Sequence, residues 1–328
     1  MAAWRTPVHS AGARPEPGHE PREPGASLVD ALAFADEPRA EDAGGARVLS
    51  MRDLPEALAV CAADPVAAVL AASRLEVAES AGFGMAGGQA WGFPATGPLE
   101  AVCWAGANLV PVTPVADRRA DAVAAFAALA RVHGRRSSSI VGDQATTLAL
   151  WEHLARTWPA AREVRADQPS MAIARDPDVE PEESVRRSRL DELDLVLPAC
   201  VRMFTEEVGY SPVATGGSAY AERVRSLVVE GRSFVRTVPS PRGLPVVAFK
   251  AEIGATAGGV AQVQGVWVDP VYRGRGWSES GMAAVVAETR RTVAPVVSLY
   301  VNSYNERALA TYRRVGFEQV GTFATVLF

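Results

Sequence analysis

The chain reads as an α/β protein built on a mixed, twisted β-sheet, and three observations predict it. Helical and β-rich stretches alternate along both halves of its 328 residues, the pattern of a sheet covered by helices. That length points to about two domains. Val266 to Met282, VWVDPVYRGRGWSESGM, passes from an apolar strand through a loop holding Arg273, Gly274, Arg275 and Gly276 into a helix. A strand, a Gly-rich loop and a helix N-terminus together present free backbone N–H groups to a phosphate.

Taken in order, residues 1–45 mix Pro, Gly, Ala and charge without a sustained period, and are expected to form a disordered tail. Folded sequence starts at Arg47–Leu49. Asp53–Ala62 and Asp64–Leu75 read as helices, the second with Asp64 as N-cap and Pro65 at its first position. Strands follow at Ala90–Phe93, Leu99–Ala105 and Asn108–Val112. Asp117–Val132 is an amphipathic helix with Val123, Phe126, Ala127 and Ala130 on one face. A short strand at Ser138–Val141 and a helix at Ala145–Trp158 close the first half, 46–176. Trp151 and Trp158 read as core packing, and Gly134–Gly142 as a polar connection.

RDPDVEPEES, residues 175–184, lacks periodicity and marks a linker, placed at 177–189. The second half, 190–328, opens with helices at Asp191–Val208 and Ser218–Glu230. Ser233–Val238, Pro245–Ile253 and Val260–Val268 read as strands. After the loop come a helix at Glu279–Val293, a strand at Val296–Val301, a helix at Glu306–Val315 and a last strand at Phe317–Phe328.

Composition narrows the function. The net charge is -5, of which residues 1–45, with four Arg and eight Asp or Glu, carry -4. The folded part is therefore close to neutral, which argues against a basic nucleic-acid surface. All but one of the 33 Lys and Arg are Arg, a bias that fits GC-rich bacterial coding; the exception is Lys250. Cys61, Cys103 and Cys200 sit among apolar residues and read as buried thiols in a reducing compartment. The four His form no ligand cluster, so no metal is expected. No apolar run reaches a membrane span and no signal core is present, so a cytoplasmic protein with no membrane partner is expected.

Two motifs carry a resemblance. Val271-Tyr272-Arg273-Gly274-Arg275-Gly276 matches the pyrophosphate loop Q/R-x-x-G-x-G/A except at its first position, where Val271 stands, and Ser278 supplies the small residue that follows. Asn302, Asn305, Ala308, Tyr312, Gly316 and Phe317 match N-x-x-N-x-x-A-x-x-x-Y-x-x-x-G-F without a gap. Residues 190–328 thus resemble the GNAT (GCN5-related N-acetyltransferase) family. The first half repeats the order of elements without either motif. It resembles the uncharacterised domain that precedes such modules in some bacterial proteins, so two GNAT-like domains in tandem are expected, the first structural or shaping the acceptor site.

The resemblance implies acetyl-CoA as co-substrate, acyl transfer to a primary amine, and coenzyme A held by Arg273, Gly274, Arg275, Gly276, Trp277 and Ser278, with Asn302 and Asn305 beside it. Gly265 is a candidate bulge that splays two strands, leaving backbone N–H groups of Val266, Trp267 and Val268 to polarise the acetyl carbonyl. The family places Tyr312 as the acid that protonates the departing thiolate. Glu252 is the candidate base; Gln262 and Gln264 occupy places where some relatives carry a carboxylate, Asp269 lies at the loop mouth, Glu206 and Glu207 are candidates for acceptor binding, and the terminus at Phe328 is placed to approach the site. No Cys lies in either motif, which favours direct attack in a ternary complex. A non-catalytic acyl-CoA sensor is the alternative. The protein is expected to be a monomer or homodimer, and the acceptor amine is not legible.

Overall fold

The computed structural model describes residues 45–214 and 217–328; the segment 1–44, read as a tail, lies outside them. β1 (Arg47–Val48) leads into α1 (Leu54–Cys61) and α2 (Pro65–Ala81). Asp64 caps α2 by accepting from the Ala67 N–H at 3.0 Å, and Pro65 stands where a helix needs no N–H donor. The first half continues through α3 (Phe83–Ala86), β2 (Gly88–Phe93), β3 (Ala101–Gly106), β4 (Asn108–Val112), α4 (Arg119–His133), β5 (Ser139–Asp143) and α5 (Gln144–Leu154). Next come β6 (Glu163–Ile173) and β7 (Arg186–Arg187). The second half comprises α6 (Leu193–Val208), α7 (Ser218–Val229), β8 (Ser233–Pro239), β9 (Pro245–Ala257), β10 (Val260–Val268), α8 (Trp277–Thr292), β11 (Val296–Tyr300), α9 (Glu306–Val315) and β12 (Glu318–Leu327).

The described strands form one twelve-stranded sheet in the order β1-β2-β3-β4-β5-β12-β6-β11-β10-β9-β8-β7. The order is the same from either edge: five strands of one half, then a strand of the other. β4–β5 and β10–β11 pair in parallel at matching places, and the other neighbours run antiparallel. β12 lies against β5, and β6 against β11. β6 and β12 meet in the middle, from Glu318 opposite Ala172 to Leu327 opposite Glu163. Each half thus completes its sheet with the last strand of the other. The segment read as a linker is docked on the second half: Asp178 N–H donates to Val315 O at 2.9 Å, Glu182 N–H to Ser280 O at 3.0 Å, and β7 pairs with β8.

β6 is the strand that the sequence pattern does not reveal. Glu163, Arg165 and Asp167 occupy its first half, and Pro169 interrupts the second. Pro removes a ladder donor, and a strand that carries one reads as an edge or a loop. Here its carbonyl still accepts from Val301 N–H at 3.2 Å, and the β6–β12 register shifts around it.

Helices cover both faces. Cys103 and Trp104, neighbours on β3 and so on opposite faces, fall in separate cores: Cys103 under α4 and α5 with Phe126, Leu129 and Leu150, Trp104 under α1 and α2 with Leu54 and Leu75. In the second half Phe249, Ile253, Met282, Val286 and Leu309 pack under α8 and α9, and Val196, Val224 and Trp267 under α6 and α7. Trp151 and Trp158 meet Phe328 edge-on, at 5.5 and 5.6 Å. That contact holds Phe328 in the first half, so Leu327, and not Phe328, is the last residue to reach the cavity described below.

Candidate active site

The site begins where two strands part. β10 pairs with β11 from Val260 to Gln262 and then diverges. Its pairing with β9 slips between Gln264 and Trp267, where Gly265 adopts φ 61°. A side chain is strained in that backbone conformation, and a Cβ there would lie 3.1–3.2 Å from Met203 Sδ, Glu252 Oε2 and Lys250 Nζ. Gly265 is therefore the residue that lets the bulge close over what lies beneath it.

Beneath it is a buried ion pair. Lys250 Nζ lies 2.6 Å from Glu252 Oε1, with side-chain exposures of 0% and 7%. Lys250 also donates to Gly265 O at 3.0 Å and contacts Met203 Sδ at 3.3 Å. The Cys200 thiol donates to Glu252 at 3.3 Å. Burial pushes that thiol up to about 12, so it stays protonated. Burial disfavours charge on both partners, yet their mutual attraction wins: Glu252 is held below its ordinary value and Lys250 above its own. Glu252 does not line the cavity in front of the bulge.

The loop is built for an anion. Asp269 accepts from Val271 N–H at 3.0 Å and starts a short 3-10 turn, Pro270–Tyr272. Gly274 and Gly276 follow with φ of 79° and 76°, and a Cβ on either would meet nothing within 4 Å. Backbone conformation, not crowding within the protein, requires glycine at both. Gly276 caps α8 without a side-chain hydrogen bond, so the first N–H groups of α8 are open. Trp277 stacks on Tyr272 at 5.2 Å, and the Arg236 guanidinium lies 3.9 Å over its ring. Arg275 leans on the same two aromatic rings, at 5.4 and 5.6 Å, and is not among the residues lining the cavity. Arg273 turns to α6, pairing with Glu206 at 2.6 Å and donating to Val268 O at 3.0 Å. Val271 is 72% exposed.

α9 supplies the other wall. Asn305 caps it, accepting from Ala308 N–H at 3.2 Å. Asn302 accepts from Gln168 of β6 at 2.9 Å, and Gln168 in turn accepts from Thr325 at 2.6 Å, so the exchanged strands brace this wall. Tyr312 packs edge-on against Phe317 at 5.9 Å. Burial, helped by the Glu207 carboxylate, holds its phenol above the ordinary value.

These parts enclose one cavity of about 770 Å³, large enough for an extended organic ligand. The strand backbone of Val266, Trp267 and Val268, the loop residues Arg273, Gly274, Gly276, Trp277 and Ser278, and Asn302, Asn305 and Tyr312 all line it. Met203, Glu206 and Glu207 of α6 line it as well. Asn108, Ser139 and Val141 of the first half also reach it, with Arg165 of β6. The first-half contribution follows from the strand exchange, which sequence reasoning missed together with β6. The Lys250–Glu252 contact was missed as well, although a signal for it exists: the single lysine stands two residues before an acid on an otherwise apolar strand, so the two share a face. Among the described residues no cluster of three or more His, Cys, Asp or Glu is placed to hold a metal ion.

Residues 234–317 match the model of the Acetyltransferase (GNAT) family, and residues 88–196 match a domain of unknown function, DUF4081. The chain is 30% identical over 135 residues to the N-alpha-acetyltransferase RimI of Mycobacterium tuberculosis, a match spanning 34% of this chain and 81% of that protein. Among solved structures, a Drosophila protein is similar with a TM-score of 0.61 at 15% identity, over 86% of this chain and 98% of that one. A GCN5-related N-acetyltransferase from Sphaerobacter thermophilus has a TM-score of 0.53 at 18% identity, over 86% and 95%. The structural likeness concerns the fold, and it runs through both halves.

Proposed function

The chain belongs to the GNAT acetyltransferase family, and on that premise we propose that it moves an acetyl group from acetyl-CoA to a primary amine by direct attack within a ternary complex. The observation that carries this reading is the continuity of one cavity from the open N–H groups at Gly276 past the bulge to Tyr312 and the two carboxylates of α6.

In this reading the α8 N-terminus and Arg273 hold the pyrophosphate of coenzyme A. Arg273 exchanges its Glu206 partner for that anion. Backbone N–H groups of Val266–Val268 polarise the carbonyl as charge develops on its oxygen. As the C–N bond forms and the C–S bond breaks, Tyr312 gives its proton to the sulfur. The raised affinity of its phenol for the proton keeps it loaded until then. The amine proton leaves toward Glu206 and Glu207, which line the cavity, and the geometry favours them over Glu252, whose carboxylate is committed to Lys250. Glu252 and Lys250 instead fix the bulge through the Gly265 carbonyl.

The name of the mycobacterial relative points to an α-amine acceptor, and a cationic amine suits the two carboxylates. The first half contributes to acceptor choice through Asn108, Ser139 and Val141. The test is acetyl-CoA-dependent thiol release across a panel of small amines and peptides with free N-termini. Release with at least one of them is expected. Tight coenzyme A binding with no release from any would leave the sensor reading instead.

A further inference from the structure

We propose that a second cavity, outside the acyl-transfer site, binds a small multivalent oxyanion, one bearing phosphate or several carboxylates. It measures about 530 Å³ and lies between α2 of the first half and α7 of the second, over Gly254 and Thr256 of β9. Three guanidiniums line it: Arg74 from α2, Arg223 from α7, and Arg232 just before β8. Two acids share the wall, and both are already occupied. Glu230 pairs with Arg232 at 2.6 Å, and Glu76 accepts from Gly258 N–H at 3.1 Å. Among the described residues neither Arg74 nor Arg223 has a carboxylate within 4.0 Å.

Arg232 already has Glu230, which leaves Arg74 and Arg223 as two like charges in one concavity without a carboxylate partner, and an anion between them would relieve their repulsion. Partial burial, and then Arg223 and Arg232, hold the Arg74 guanidinium below its ordinary proton affinity, with Glu230 opposing. Guanidinium forks match the oxygens of phosphate or carboxylate in pairs, which is why clustered arginines favour such groups over halide. Ser226 and Thr256 bring hydroxyls to the same wall. The volume exceeds what a single inorganic ion needs and suits a metabolite-sized solute. The concave shape favours such a solute over a flat acidic surface.

The cavity abuts the first one. A Cβ at Gly254 would fall 2.3 Å from the Gln264 side chain, and Gln264 lines the main cavity. Gln264, which lines the first cavity, thus stands beside Gly254, which lines the second. The second site does not depend on the acyltransferase reading, and its test reads binding alone.

The experiment is calorimetric titration of the full chain at constant ionic strength with inorganic pyrophosphate and, separately, with citrate. Saturable binding of at least one is expected, weakened tenfold or more in Arg74→Gln/Arg223→Gln; the same event is retained in Arg273→Gln, where any separate pyrophosphate binding at the α8 loop drops out. The pyrophosphate and citrate arms separate a phosphate source from a polycarboxylate one. The reverse pattern, loss with Arg273→Gln alone, would place the anion at the α8 loop and overturn the proposal. So would affinity unmoved by the double substitution, or no saturable binding of either probe. Arg74→Gln alone gives a smaller loss in the same direction and guards against misfolding of the double variant.

Discussion

Replacing Lys250 by Met is expected to destabilise the protein by about 4 kcal/mol at pH 7.5, and the cost should shrink as the pH falls. The substitution keeps an unbranched side chain one atom shorter but leaves Glu252, 7% exposed, without its counter-charge. Breaking a buried pair in this way costs roughly 3–5 kcal/mol when the remaining charge persists. Glu252 can instead take up a proton. At pH 7.5 that lies three units above its reference value of 4.5, and at about 1.4 kcal/mol per unit the cost is again about 4 kcal/mol. The sign of the pH dependence then follows. In the unmodified chain Glu252 is depressed and Lys250 raised, so the pair contributes above pH 4.5, losing its effect as the pH falls through the folded value of Glu252. At the alkaline end it is fully present below 10.5 and is lost as the pH rises through the folded value of Lys250. In Lys250→Met the folded value of Glu252 is raised, so its penalty should fall by about 1.4 kcal/mol for each unit from pH 7.5 toward 5. Urea unfolding followed by tryptophan fluorescence at pH 5.5, 6.5 and 7.5 measures this, and Lys250→Met/Glu252→Gln should recover part of the loss. A cost below about 1 kcal/mol that is flat with pH would refute the buried pair.

Two further outcomes are expected. Gly265→Ala should cost about 1–3 kcal/mol in urea unfolding, because φ there is 61° and the new methyl meets Met203, Lys250 and Glu252 at 3.1–3.2 Å; it should also slow turnover by moving the bulge. A fragment of residues 177–328 expressed alone should fail to give a cooperative unfolding transition, since β11 lacks β6 and β12 lacks both neighbours, and co-expression with residues 45–176 should restore one.

Much of the fold was legible because the helices and most strands obey their periods. α9 matches its expected bounds, Glu306–Val315, and Asp64 and Pro65 announce the start of α2. The loop was legible because its glycines and helix start are local: Gly274 and Gly276 do take positive φ. What local pattern cannot carry is which strand neighbours which. The pairing of β12 with β5, and of β6 with β11, is decided by packing between residues more than a hundred positions apart, as in Met171 opposite Leu299. Charged Glu163, Arg165 and Asp167 hid β6, although its second half is buried at Gln168, Pro169, Ser170 and Met171. The same long-range pairing explains why Asn108 and Ser139 reach the cavity without any motif around them. Glu252 reads from the sequence as a candidate base; its burial against Lys250 emerges only when α6 and the Gly265 bulge close over it.

The most direct measurement sets the turnover of Tyr312→Phe against its affinity for coenzyme A. The phenol lines the cavity and packs on Phe317, and the substitution removes only its hydroxyl. If Tyr312 protonates the departing sulfur, kcat for thiol release should fall by roughly a hundredfold or more, while the calorimetric Kd for coenzyme A stays within about twofold. Turnover equal to that of the unmodified chain would contradict the role of Tyr312 as the acid.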